Sequence, residues 1–259
     1  MSWTPRTGGS NSISSAGSTS LSATSTDAVI IGDCILLSVL VDSLAGAIGS
    51  RVSDATHGDY KDSLGNVYVR IRQDSSAFSV QEIWLASVTS PGTPTVRIQL
   101  ENSPGTTTAT YIALNIDPFT DCSTNIRVAG HAGQLQNTGN YTATDAISSG
   151  VIVPIQNDTL IYGNTADLLN GGDPGVGGTG FTELQLSAGG GLLPLLTEYR
   201  IQSVAASIAV TFTATVNPAA YVTQIISVGM VSRGNNIALA AGMVPAFGDG
   251  PVPYIFYPA

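Results

Sequence analysis

The chain has 259 residues and is 43% hydrophobic, enough to bury a full core, yet only 10% of it is charged, well under the rough quarter of ordinary soluble domains. Its net charge is −9, with Lys61 the one lysine and the arginines scattered, and this balance argues against phosphate-backbone binding to nucleic acid. Two cysteines outside any CxxC or Cys/His cluster, Cys34 and Cys122, exclude a thiolate metal centre; a disulfide and a pair of buried thiols both stay open.

Taken from the start, residues 1 to about 25 are Ser/Thr/Gly-rich, a composition that predicts a flexible arm. The opening Met1-Ser2-Trp3-Thr4-Pro5-Arg6 lacks the apolar run of a secretion signal, so synthesis in a cytoplasm without a leader is expected. The longest apolar stretch, Ile30–Val41, is broken by Asp33 and Ser38 and falls short of the roughly 18 residues of a membrane span. A membrane is therefore not among the expected partners.

Strand signals then dominate: Val29–Val41, Val67–Ile71, Val80–Ser87, Thr95–Leu100, Tyr111–Ile116, Val151–Ile155, Thr159–Tyr162, Glu183–Leu186, Tyr199–Val204, Ala209–Val216 and Val222–Val228. Each is short, rich in β-branched or aromatic residues and bounded by turn formers, which predicts an all-β sandwich or barrel. Thr95–Leu100 and Thr211–Val216 alternate polar with apolar residues, the mark of half-buried strands. Asp62-Ser63-Leu64-Gly65-Asn66 reads as a hairpin turn. No segment carries a sustained helical period, and Asn164–Asn170 offers one short helical turn at most.

A weak internal echo runs along the chain. Gly32-Asp33-Cys34-Ile35-Leu36 is answered by Asn157-Asp158-Thr159-Leu160-Ile161, Glu82–Val88 by Glu198–Val204, Thr95–Asn102 by Ala209–Asn217, and Tyr111–Ile116 by Tyr221–Ile226. Two pseudo-repeats, about 28–120 and 151–231, are expected to stack into one sandwich domain spanning 26–233. Residues 234–259 form a separate Pro/aromatic tail, in which prolines block ladder pairing and four aromatics need cover.

Among these strings, Gly32-Asp33-Cys34-Ile35-Leu36, Asp62-Ser63-Leu64-Gly65-Asn66-Val67-Tyr68, Ile83–Val88, Thr95–Leu100 and Glu198–Val204 resemble β-sandwich domains found in bacteriophage structural proteins and bacterial surface proteins. The resemblance covers about Ala28 to Val231. It implies an antiparallel sandwich, jelly-roll-like or immunoglobulin-like, and it brings no catalytic residues with it. Departures are Asn157-Asp158 in place of a second Gly-Asp, and the two terminal extensions.

Catalytic signatures are absent or out of context. Gly175-Val176-Gly177-Gly178-Thr179-Gly180 matches a phosphate-cradling loop in form, but it leads into a strand pattern with no helix dipole behind it, so it reads as a loop. His57 and His131 stand in no catalytic motif and read as loop residues. Asp54, Asp59 and Asp62 crowd one hairpin without EF-hand spacing and suit turn formation better than calcium. Asn140 and Asn157 head formal glycosylation sequons, which carry no weight without a leader.

The expectation is thus a non-enzymatic protein with no catalytic residues, no cofactor and no metal. It is expected in a virion, as a capsid decoration or a tail or fibre component, packing against copies of itself and other virion proteins. Trp3, Phe247, Tyr254, Phe256 and Tyr257 are the interface candidates, since aromatics carry most contact energy at interfaces. The alternative is a carbohydrate-binding or host-glycan-recognition module.

Overall fold

The structure is a computed structural model that describes residues 3–13, 18–43, 49–76, 79–101, 109, 111–120, 122, 126–141, 146–154, 156–167, 176–187, 193–213 and 219–230. The described residues are all-β. Ten strands make the N-terminal half: β1 (Thr4–Pro5), β2 (Gly9–Ile13), β3 (Ser20–Thr24), β4 (Cys34–Asp42), β5 (Ser50–Asp54), β6 (Gly58–Asp59), β7 (Tyr68–Ser75), β8 (Ser79–Ser87), β9 (Thr95–Leu100) and β10 (Tyr111–Thr120). The C-terminal half holds β11 (Ile126–Tyr141), β12 (Ala146–Ser148), β13 (Thr159–Asp167), β14 (Thr182–Ser187), β15 (Leu195–Gln202), β16 (Thr211–Thr213) and β17 (Ala219–Met230).

The large sheet of the N-terminal half runs β1-β10-β4-β8-β7, with β2 also on the β10 edge, and a second sheet runs β3-β9-β5-β6. The chain passes back and forth between the two, and this order is jelly-roll winding rather than the immunoglobulin one. In the C-terminal half the large sheet runs β11-β17-β13-β15-β14, and β12 pairs with β16 beside it. Strand for strand the two large sheets have one order: β11 stands where β2 does, β17 where β10 does, then β13 for β4, β15 for β8 and β14 for β7. The correspondence starts at Gly9 and Ile126, before the segments that echo each other in sequence.

Four β layers result. The first roll closes over Leu21 and Ala23 of β3, Val52 of β5 and Val96, Ile98 and Leu100 of β9, packed on Ile35, Leu37, Val39 and Val41 of β4 and Ile112, Leu114 and Ile116 of β10. The opposite face of that same sheet presents Cys34, Leu36, Ile83, Leu85 and Phe119 to Leu160, Tyr162, Ile226 and Val228 of the second large sheet. Beyond it, Ile147 and Phe212 of the small sheet cover Ile161, Leu196, Tyr221 and Ile225. This explains the sequence of β4: Cys34–Val41 is buried at every position, because a strand covered on both faces needs no polar side. The expected single sandwich is therefore two rolls pressed together by their large sheets.

The N-terminal segment differs from the expected flexible arm. Residues 3–13 and 18–25 hold β1, β2 and β3, and Leu21 and Ala23 alternate with exposed Ser22 and Thr24. Hydroxyl residues suit a half-buried strand as well as a coil, and period-2 burial decides between them. Asn164 is likewise in β13 and not in a helical turn. Val151–Pro154 forms an isolated bridge, Ile152 to Ile208, in place of the expected strand. The Asp62–Asn66 turn is present, closed by a Lys61–Val67 bridge, with Gly65 at φ +86°. The tail, residues 234–259, lies outside the described residues.

Candidate functional site

Trp3 is 3% exposed. It packs with Cys34, Phe119 and Cys122 between the two large sheets, and its indole N–H donates to the Asp158 carbonyl at 3.0 Å. It ties the N-terminus to its own chain, so it is corrected from an interface anchor to a core residue. Phe247, Tyr254, Phe256 and Tyr257 lie outside the described residues. Cys34 and Cys122 are both free thiols; burial, then the neighbouring Cys122, pushes the Cys34 thiol up.

The acidic hairpin is internally satisfied. Asp62 is fully buried and accepts from the Leu64 and Asn66 backbone N–H groups, the Asn66 side-chain amide and the Tyr68 hydroxyl at 2.9–3.1 Å. Asp54 accepts from His57 and Thr56 N–H groups, which hold its carboxyl below the usual range. Asp59 pairs with Arg51 at 3.1 Å. Each carboxylate serves the local turn structure. His57 leans on Asp54 at 3.0 Å, and His131 is a surface residue beside Arg72.

Between the large sheets an unexpected polar belt crosses the apolar contact. Tyr162 donates to Asp117 Oδ2 at 2.7 Å and shares a 2.8 Å bond with Ser38. Asn164 donates to Ser38 at 2.9 Å and to Gln224 at 3.2 Å, and Gln224 donates to Asp74 at 2.7 Å and to the Gln81 carbonyl at 3.0 Å. Asn115 donates to the Leu195 carbonyl at 2.9 Å. Burial raises the Asp117 carboxyl to about 7 against the opposing pull of the Tyr162 and Thr197 hydroxyls. Among the described residues, Asp117 Oδ1, Asn115 Oδ1, Asn164 Oδ1 and both polar atoms of the Gln81 side chain have no protein partner. Orphaned buried polar atoms of this kind are where internal waters sit.

Two further carboxylates point into the rolls. Glu82 of β8 is buried in the first roll and is held by the Ser50 N–H at 3.1 Å, the Ser50 hydroxyl, the Trp84 indole N–H at 3.0 Å and Arg70 at 2.9 Å. Burial still raises its carboxyl above the ordinary range, with Ser50 and Arg70 opposing. Arg70 also lies over the Trp84 ring, 5.3 Å from its centroid, and reaches Glu101 at 3.4 Å. The bulge between Arg70 and Arg72 in the β7–β8 ladder sends these two arginines to different partners, Arg72 going to Asp74. At the rim stands Tyr60, 47% exposed and at φ +64°, its ring 6.3 Å from Trp84.

Glu198 of β15 faces the second roll. Its Oε2 accepts from the Gly178 N–H at 2.8 Å, while Glu183, directly opposite on β14, accepts from the Gly177 N–H at 2.8 Å. Burial, and secondarily Glu183, raises the Glu198 carboxyl to about 8. The glycine-rich loop is thus pinned by two acids. A Cβ on Gly178 would stand 2.1 Å from the Thr211 carbonyl oxygen, and one on Gly177 would stand 2.7 Å from Glu198 Oε2. The sequence presents these glycines, but only the β14–β15 register shows which acids they meet.

Compared with protein-family models, curated proteins and solved structures, the chain gives no match. The functional reading therefore rests on the residues and the fold.

Proposed function

We propose that the chain is a non-enzymatic structural protein of a phage-like particle, working by packing against copies of itself and other particle proteins. The observation that carries this reading is the doubled jelly roll. One roll of this winding is a form shared by capsid and lectin domains, and here two are joined through a sheet buried on both faces. That construction makes a stiff brick and uses its apolar faces internally. Neighbours are then met by rims, loops and the tail, where repeated weak contacts add up through effective concentration. A surface poor in charge and the sequence resemblance to phage structural domains support the same reading.

Electron microscopy of particles from the native source, with the chain located by labelling, tests it. Removal of residues 234–259 should lower incorporation while leaving the rolls folded. A chain never found in assemblies would refute the proposal, and incorporation unchanged by loss of the tail would refute the tail's part in it.

A second reading has its own observation. Tyr60 is an exposed aromatic held in a costly backbone conformation, its ring 6.3 Å from Trp84, and an exposed aromatic face suits a sugar ring. Glycan-array binding lost in Tyr60→Ala would favour that reading, and an array with no signal would end it.

A further inference from the structure

Glu82 and Glu198 stand on corresponding strands of the two rolls. β8 and β15 hold corresponding positions in their sheets, and each glutamate points away from the other roll into its own. Each takes one backbone N–H from a segment that bridges to the next strand of its roll: Ser50, paired with Leu100 of β9, and Gly178, two residues beyond Val176, which bridges to Thr213 of β16. There the likeness ends. Glu82 gains a hydroxyl, an indole N–H and the guanidinium of Arg70. Glu198 is equally buried, but its Oε1 has no protein partner among the described residues.

In place of a cation, Glu198 meets another acid. Glu183 is its directly paired neighbour across the ladder, and like charges so placed repel. Both carboxylates converge on Gly177, where no side chain can stand: a Cβ would lie 2.7 Å from Glu198 Oε2 and 3.0 Å from Glu183 Oε1. Arg200 shares a strand face with Glu198 but lies against Gly180, its Nη1 3.2 Å from where a Cβ would be. Among the described residues it forms no ion pair with either acid. Glu183 is exposed, whereas Glu198 is fully buried.

We propose that Glu183 and Glu198 form a receptor for a guanidinium carried by another molecule, which takes the role that Arg70 plays for Glu82. A planar fork of N–H donors matches two converging carboxylates better than a point charge does. A divalent metal is a poorer fit, since the described residues supply no third acid, histidine or cysteine there, and calcium takes about six to eight oxygens. The site does not depend on the particle reading, and its ligand can be an arginine side chain of a partner or a free guanidino compound.

The test uses the whole chain, with N-acetyl-arginine amide, guanidinium chloride, N-acetyl-lysine amide and calcium chloride as separate probes. Carbon-detected NMR follows the Glu198 carboxyl through its titration. The guanidinium probes should move its midpoint down from about 8 by on the order of one pH unit, saturably, and Glu183→Gln should abolish that response. A stronger response to the arginine derivative than to guanidinium chloride identifies a protein side chain as the ligand; an equal response identifies a small guanidino compound. An unmoved midpoint, an unchanged response in Glu183→Gln, or a response to calcium and not to guanidinium overturns the proposal.

Discussion

Asp117→Asn isolates the cost of the acid buried between the two rolls. The carboxyl sits in the polar belt at 1% exposure and is raised from its ordinary 3.8 to about 7 by burial. The native state therefore holds the proton more tightly than the unfolded chain does. Stability from this group is fully present below 3.8 and is lost as pH rises through about 7. With about 1.4 kcal/mol for each tenfold change in acid strength, the loss is on the order of 4 kcal/mol. Asparagine keeps the shape and still accepts from Tyr162 and Thr197, but it does not titrate. Urea unfolding midpoints should show wild type losing ground to Asp117→Asn between those pH values, then running parallel to it above them. Glu82 and Glu198 stay in both proteins and cancel in the comparison. Parallel stability curves across the whole range would refute the buried-acid reasoning.

Four other perturbations follow from contacts of the same kind. Trp3→Ala should cost about 3–5 kcal/mol by denaturant unfolding, a loss that an interface residue on a flexible arm would not produce. Arg70→Met should cost a similar 3–5 kcal/mol near neutral pH, because it strands the buried Glu82 carboxylate, and Glu82→Gln in the same chain should recover much of that. Gly178→Ala should loosen the loop against β16, seen as faster amide exchange at Val176 and Thr213, whose mutual hydrogen bonds are 2.9 and 3.0 Å. Tyr60→Gly should stabilise the chain by about 1 kcal/mol through release of backbone strain, and an unchanged or lower melting temperature would show that Tyr60 carries no such strain.

The fold class was legible because its signal is local. Alternation in Thr95–Leu100 matches the observed burial of Val96, Ile98 and Leu100, and the apolar run of β4 announces burial on both sides. What the sequence does not announce is the second cover: a run buried on two faces reads the same whether one roll or two enclose it. β11 was missed for another reason. Its Gly130, Gly133, Asn137 and Gly139 are poor strand formers, and its pairing with β17 is a tertiary fact. The N-terminal strands were missed because Ser and Thr dominate them, and the apolar partners are as small as Ala23. For the acid pair, the match of Glu82 with Glu198 stands in the sequence, but the bulge that brings Arg70 to only one of them does not.

The belt between the rolls bears on why the two sheets meet in one register. Apolar contact lies on both sides of it: Phe119, Leu160, Ile226 and Val228 on one, Leu40, Ala113, Leu195 and Val222 on the other. Such faces tolerate sliding, because apolar packing is non-directional. Hydrogen bonds are not. Ser38, Tyr162 and Asp117 form a chain whose members belong to β4, β13 and β10, and a shift by one residue pair would leave each of them buried without a partner, at roughly 1–3 kcal/mol per group. The belt lowers the gross stability of the contact and raises the cost of every wrong one. That exchange favours a single register over strength, and replacing Ser38, Asn164 and Gln224 with apolar residues should yield rolls that still associate but give broadened, multiple amide resonances along β4 and β13.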